Sequence, residues 1–124
     1  MRISSLSEDL NIEKRISLTP EIAKKYISLG FKICLPKNYG VHLGFNDDEY
    51  KKLGTSFLDN EEELIKNSEI IIQLALPDDD KLSLFKENQT LIGSLNAFSN
   101  KDKLGNLKLK KNKLFFFGTT SKNY

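Results

Sequence analysis

Cysteine, histidine and tryptophan are nearly absent from this chain, which has one Cys, one His and no Trp among 124 residues. The lone Cys34 cannot close an internal disulfide, which suits a reducing, cytoplasmic setting. It lies in the apolar run "FKICLP", where a buried, inert thiol is the expectation. His42 has no second histidine or nearby cysteine to complete a metal site. Neither a Ser-His-Asp nor a Cys-His set can be assembled. Excess charge of one sign is also missing. Nineteen basic against seventeen acidic residues leave a formal charge of +2, which gives no electrostatic reason to expect nucleic acid. The densest basic group, Lys108, Lys110, Lys111 and Lys113, reads as solvated helix-end and turn lysines, with a basic patch as the alternative. No apolar run approaches the ~20 residues of a membrane helix. Met1 leads into a strand-like run and then Glu8-Asp9, unlike a signal peptide. A soluble chain without direct membrane insertion is expected.

Phosphate-cradling glycine loops are absent too. Neither GxGxxG nor GxxxxGK[ST] occurs. "GVHLG" has two glycines, but the following "FNDDEY" crowds the next helix start with negative charge that would repel a phosphate. A tight turn accounts for it.

What is present is enough apolar residue, 39%, for one compact domain, and a repeated alternation of short apolar runs with amphipathic ones. "RISSL" opens as a strand. "LTPEIAKKYISLG" carries both helix ends: Thr19 as N-cap, Pro20 at the first helical position, Glu21 in the first turn and Gly30 at the C-terminus. "FKICL" follows as a strand stopped by Pro36. A helix is expected over "NDDEYKKLG", an extended piece at "TSFL" and a helix at "DNEEELIKNS". Next come the strand "EIIIQLAL", stopped by Pro77, a helix at "DDDKLSLFK" and the strand "QTLIGSL". "SNKDKLGNLKLKK" is helical at first and weakened by Gly105, and "KLFFFG" is the last strand, an aggregation hazard if left unpaired at a sheet edge. The runs "DNEEE" and "DDD" resemble catalytic carboxylates, but each falls at a helix start, where dipole compensation explains it.

Strands alternating with helices predict a parallel sheet covered on both faces. The expected fold is therefore α/β, a three-layer α/β/α sandwich. Ligands in such sheets sit beyond the carboxyl ends of the strands. That directs attention to Ser7 and Glu8, Pro36 to Gly40, Gln73 to Pro77, and Leu95 to Phe98.

The punctuation carries a resemblance. Glu13, Arg15, Leu18, Thr19, Pro20 and Glu21 stand as in a motif E-x-R-V-A-L-T-P-E. Gly40, Gly44, Phe45, Asp47, Tyr50 and Gly54 follow the order of G-A-G and A-G-F-x-D-x-x-Y-x-x-A-G-A. "SEIIIQLALP" is similar to A-D-I-V-L-K-V-x-x-P, and "LIGSLNAFSNKDKL" to L-I-G-x-L-x-P-x-x-N-x-x-L. Together these resemble the N-terminal domain shared by alanine dehydrogenases and the alpha subunit of proton-translocating NAD(P) transhydrogenase, over about residues 1–117. The resemblance implies a flavodoxin-like fold. It also implies use of NAD(H), and in the transhydrogenase branch NADP(H), by the complete enzymes. Implied partners are the remaining NAD-binding, membrane and NADP-binding parts, with a possible homodimer and a peripheral place at the cytoplasmic face of the inner membrane.

In alanine dehydrogenases the matching arginine binds the substrate carboxylate, helped by a lysine and a catalytic histidine. Arg15 is kept, but Ala75 stands at the lysine position and Asn96 at the histidine position. That loss removes a cation and the proton-transferring group. Asn96, with Phe98 and Asn100, resembles the transhydrogenase branch. The cleft-lining candidates are Arg15, Gln73 and Asn96, and neither catalytic nor cofactor-binding residues are expected within the chain itself. Arg15 has two readings, a cleft-facing cation or a surface ion pair with a carboxylate such as Glu8 or Glu13. "FFFGTTSKNY" departs from the family's continuation, and this reading expects no glycine-fingerprint Rossmann domain with it. Residues 118–124 are thus expected to be a divergent tail on a truncated, split or decaying copy, not catalytic alone and with no tight dinucleotide binding. The alternatives are a fragment of an alanine or lysine-pathway dehydrogenase and a non-catalytic interaction domain.

Overall fold

In the computed structural model, residues 1–95 and 100–116 are described. Six strands, β1 (Arg2–Ser4), β2 (Lys32–Pro36), β3 (Ser56–Leu58), β4 (Ile70–Gln73), β5 (Thr90–Gly93) and β6 (Lys113–Phe116), form one sheet in the order β3-β2-β1-β4-β5-β6. Every pairing is parallel. Five helices connect them: α1 (Pro20–Ser28), α2 (Asp47–Lys52), α3 (Glu61–Lys66), α4 (Asp79–Leu82) and α5 (Lys101–Leu109). The α/β sandwich read from the alternation is present. Its strand order is the doubly wound one that reverses between β1 and β4.

The reversal sorts the helices, because crossovers between parallel strands are right-handed. Side chains of α1 and α2, including Ala23 and Tyr50, pack with Ile3, Ile33, Leu35 and Ile72 on one face of the sheet. Side chains of α3, α4 and α5, including Leu64, Leu82 and Leu104, pack with Cys34, Ile71 and Leu91 on the other. Burying a leucine or isoleucine side chain fully contributes about 1.5–3 kcal/mol, so these two layers carry the fold. Cys34 is buried and free, and burial pushes its thiol pKa up, as expected of an inert core residue.

The helix starts follow the sequence signals. Thr19, Asn46, Asn60 and Asp78 each accept a main-chain N–H from the first turn of α1, α2, α3 and α4, contributing about 0.5–2 kcal/mol apiece. Gly30 and Gly54 take φ of +98° and +102°, the left-handed backbone that lets the chain leave α1 and α2. Three elements differ from their sequence pattern. α5 passes through Gly105 without interruption, because Leu104 and Leu107 anchor it on either side. α4 is a single turn, and Ser83–Lys86 leave it. β4 ends at Gln73, although the apolar run continues to Leu76. Its main-chain N–H groups beyond that point go to a carboxylate and not to a strand.

Candidate functional site

That carboxylate is Glu8. The connection from β1 to α1 spans residues 5–19 and starts at the point where the strand order reverses. Glu8 Oε2 accepts from Leu74 N at 2.9 Å and from Gln73 Nε2 at 3.2 Å, and Oε1 accepts from Ala75 N at 3.3 Å. A buried acceptor next to the end of β1 thus pulls the chain out of β4. Glu8 is 9% exposed. Burial raises its pKa, against the lowering effect of the Leu74 and Ala75 amides and the nearby Lys81.

Gln73 is locked from its other end. Its Oε1 accepts from Leu6 N, and from Ser5 Oγ at 3.0 Å. Both of its polar atoms are therefore engaged within the fold. Tyr39 continues the network. Its hydroxyl donates to Ser5 Oγ at 2.8 Å and accepts from Ser17 N and Leu18 N, both at 3.1 Å. Tyr50 Oη donates to Leu18 O at 2.7 Å. Two buried tyrosines on one face thereby fasten the segment that runs into α1. Burial drives the Tyr39 pKa up to about 12 and raises that of Tyr50 as well. Both hydroxyls stay protonated and act as struts.

Between the β1–α1 connection and the end of β4 lies a cavity of about 300 Å³, walled by Glu8, Gln73 and Ala75, with Lys81, Asn100 and Lys103 across from them. Both lysines are already paired, Lys81 Nζ with Glu61 at 3.4 Å and Lys103 Nζ with Asp79 at 3.3 Å. Asn100 Nδ2 donates to Leu95 O at 3.1 Å. Glu8 is the buried charge in this wall, and the cations around it are turned to other carboxylates.

The sequence-derived candidates fall as follows. Gln73 lines the cavity. Arg15 is outside its wall, 78% exposed, and forks onto Glu13 through Nε and Nη2 at 2.9 and 2.8 Å. That pairing, with the Arg15 main-chain N–H added, holds the Glu13 carboxyl down at about 2. Arg15 nonetheless belongs to the β1–α1 connection, which leaves the carboxyl end of β1. Asn96 and Phe98 lie outside the described residues. His42 Nε2 donates to Lys14 O at 2.7 Å, tying the turn at Val41–Leu43 to the loop that carries Arg15. Among the described residues, no group of acidic, His and Cys side chains is arranged to hold a metal ion, and no helix is long and apolar enough to cross a membrane.

Glu8 was among the strand-end residues to which the sequence directed attention, and its place after the strand at which the order reverses was the signal. Lys81 and Lys103 had none, because nothing in their local pattern places them across a cavity.

The strand order is the one that houses dinucleotides, yet the first crossover is built against a pyrophosphate. It has no glycine, carries Glu8, Asp9 and Glu13, and delivers a helix whose first residue, Pro20, has no N–H and whose second is Glu21. A phosphate site at this position needs a close glycine turn and free N–H groups at the helix start. The fold and site define a doubly wound α/β domain with a crevice at its reversal point and no glycine turn in its first crossover.

The family described as "Alanine dehydrogenase/PNT, N-terminal domain" matches residues 6–122, and the chain belongs to it. Alanine dehydrogenase 1 of Staphylococcus aureus, strains RF122 and Mu50, is 29% identical over 102 residues, covering 82% of this chain and 27% of the relative. The transhydrogenase of Sinorhizobium meliloti superposes with a TM-score of 0.85 at 20% identity, over 94% of this chain and 34% of that one. An L-alanine dehydrogenase superposes at 0.83 and 19% identity, over 92% and 31%. The chain thus spans about a quarter to a third of the length of these relatives.

Proposed function

We propose that this chain acts as the N-terminal part of the alpha subunit of a proton-translocating NAD(P) transhydrogenase. In this reading it walls one side of the cleft in which hydride passes from NADH to NADP+. The dinucleotides and the membrane part belong to partner domains or subunits, and the chain alone is not catalytic. A place at the cytoplasmic face of a membrane would come from those partners.

The observation that carries the reading is the charge arrangement of the cavity. Neither Gln73, which falls on the lysine of the quoted strand motif, nor Ala75 two residues on carries a charge, and the Ala75 main-chain N–H is taken by Glu8. Lys81 and Lys103 are paired, and Arg15 is forked onto Glu13 outside the wall. A small carboxylate substrate would meet the buried Glu8 carboxylate in this wall and no cation at the lysine position of the strand motif. Hydride transfer between two nicotinamide rings makes no such demand on this wall. A second reading, part of an alanine dehydrogenase, is favoured by the 29% identity to the Staphylococcus enzymes.

A complementation assay separates the two. The matching N-terminal third is deleted from the Sinorhizobium transhydrogenase and from the Staphylococcus alanine dehydrogenase, and the 124-residue chain is added to each. Restored NADH-to-NADP+ hydride transfer in the first, with pyruvate amination unrestored in the second, is the expected result. Restoration of the second alone would replace this reading with the dehydrogenase one.

A further inference from the structure

β6 ends the strand order and pairs with β5 alone among the described residues. Lys113 N donates to Gln89 O of the β5 side, so by alternation the main-chain groups of Leu114 and Phe116 face outward, with no strand beside them among the described residues. Edges of this kind are templates for a further strand unless charge, proline or a bulge guards them. Among the described residues of β6 the one charged guard is Lys113.

The side chains along this edge are apolar on both faces of the sheet. Phe115 is in register with Ile92, which is in register with Ile72, and these lie on the face covered by α1 and α2. Both helices pack over the β1–β3 half of that face, so the row runs outward to a Phe115 ring that is 55% exposed. Leu114 turns to the opposite face and packs with the α3–α5 layer. Phe116, on that same face, is 41% exposed.

A helix laid on the α1 face would cover Phe115 and leave Phe116 and the main-chain edge bare. A strand laid beside β6 flanks both rings and pairs the edge. We propose that this strand is β6 of a second copy of the chain, joined in antiparallel register about a two-fold axis through Leu114. A two-fold axis normal to the sheet keeps each face continuous across the pair, so directly opposed residues share a face. In this register Leu114 meets its own copy on the α3 face. Lys113 meets Phe115 of the other copy on the α1 face, twice over. An ammonium beside a ring is a favourable cross-strand pair, whereas parallel pairing would set lysine on lysine. The charge pattern of the strand selects the antiparallel dimer.

Sedimentation equilibrium of the 124-residue chain tests this. A four-residue edge buries less than a stable interface needs, so half-dimerisation is expected on the order of 0.1–1 mM. The apparent mass should climb from 14.2 kDa toward twice that value as concentration rises, and exchange of the outward Leu114 and Phe116 amides should slow in parallel. Phe115→Lys places the introduced ammonium opposite Lys113 of the partner copy and should weaken dimerisation at least about tenfold, a loss of about 1.4 kcal/mol. Phe115→Glu places a carboxylate there and should keep the dimer, now sensitive to salt. Leu29→Lys removes an equally bare leucine, 72% exposed and remote from β6, and should change nothing. Exposure of Phe115 lets all its variants fold, which circular dichroism checks. A wild-type chain that stays monomeric, assembly beyond a dimer, or equal loss with the introduced lysine and the introduced carboxylate would each overturn the proposal.

Discussion

Tyr39→Phe removes one oxygen from the centre of the polar network that fastens the β1–α1 connection. Two main-chain donors, Ser17 N and Leu18 N, lose their acceptor, while Ser5 Oγ keeps Ile72 O at 2.6 Å. Leaving a buried donor unsatisfied costs about 1–3 kcal/mol. Leu18 is fully buried and Ser17 partly so, which sets the expected loss at about 2–4 kcal/mol. A 124-residue domain has roughly 6–19 kcal/mol at 0.05–0.15 kcal/mol per residue, so the variant still folds at 25 °C. Its unfolding entropy, about 2.1 cal/mol/K per residue or ~260 cal/mol/K in all, converts the loss into a fall in Tm of about 8–15 °C. Tyr50→Phe strips one donor from the Leu18 carbonyl and should cost about 1–3 kcal/mol, one group unsatisfied against two. The Tyr39 hydroxyl also supplies a pH signature. Its folded pKa, about 12, lies above the unfolded value near 10. Its contribution is therefore whole below pH 10 and is lost as pH rises from 10 through 12, about 3 kcal/mol in total. Urea unfolding followed by circular dichroism at pH 7 and across pH 9–12 reads both effects. If Tyr39→Phe cost less than Tyr50→Phe, or left the alkaline loss unchanged, the strut assignment would fail.

Three further outcomes follow from single positions. Gly93→Ala would set a Cβ 1.6 Å from the Gln73 carbonyl oxygen, a main-chain atom of the neighbouring strand; it should cost about 3 kcal/mol or more, read as a loss of urea midpoint or of soluble yield. Gly105→Ala meets open space within α5 and should stabilise by about 0.5–1 kcal/mol in thermal unfolding. Glu8 has a folded pKa raised above 4.5 by burial, so its contribution is present below pH 4.5 and lost as pH rises through the folded value. The wild-type urea midpoint should therefore fall relative to Glu8→Gln across that window, and a relative rise would contradict the sign.

Local signals carried most of the architecture. Thr19-Pro20-Glu21 and the runs "NDDEYKKLG" and "DNEEELIKNS" opened helices where the sequence placed them, and "EIIIQ" became a strand inside the sheet. Long-range contacts set what local pattern misjudged. "LAL" after Gln73 reads as more strand, but a carboxylate 66 and 67 residues away in sequence, Glu8, takes the Leu74 and Ala75 amides. Gly105 reads as a break, but tertiary burial of its neighbours overrides propensity. The site was legible only in outline. The rule that ligands sit past the strand ends led to Glu8 and Gln73, whereas the pairing of Lys81 with Glu61 and of Lys103 with Asp79 depends on how α3, α4 and α5 pack. Arg15 stood in the motif, and its choice of Glu13 was one of two readings its neighbours left open.

The account holds that this domain forms a cleft wall and that the dinucleotide is held elsewhere. Calorimetric titration of the isolated 124-residue chain with NADH is the direct test. No saturable heat up to about 1 mM NADH, the affinity corresponding to roughly −4 kcal/mol, is the predicted result. A micromolar Kd would place a nucleotide site inside this chain and contradict it.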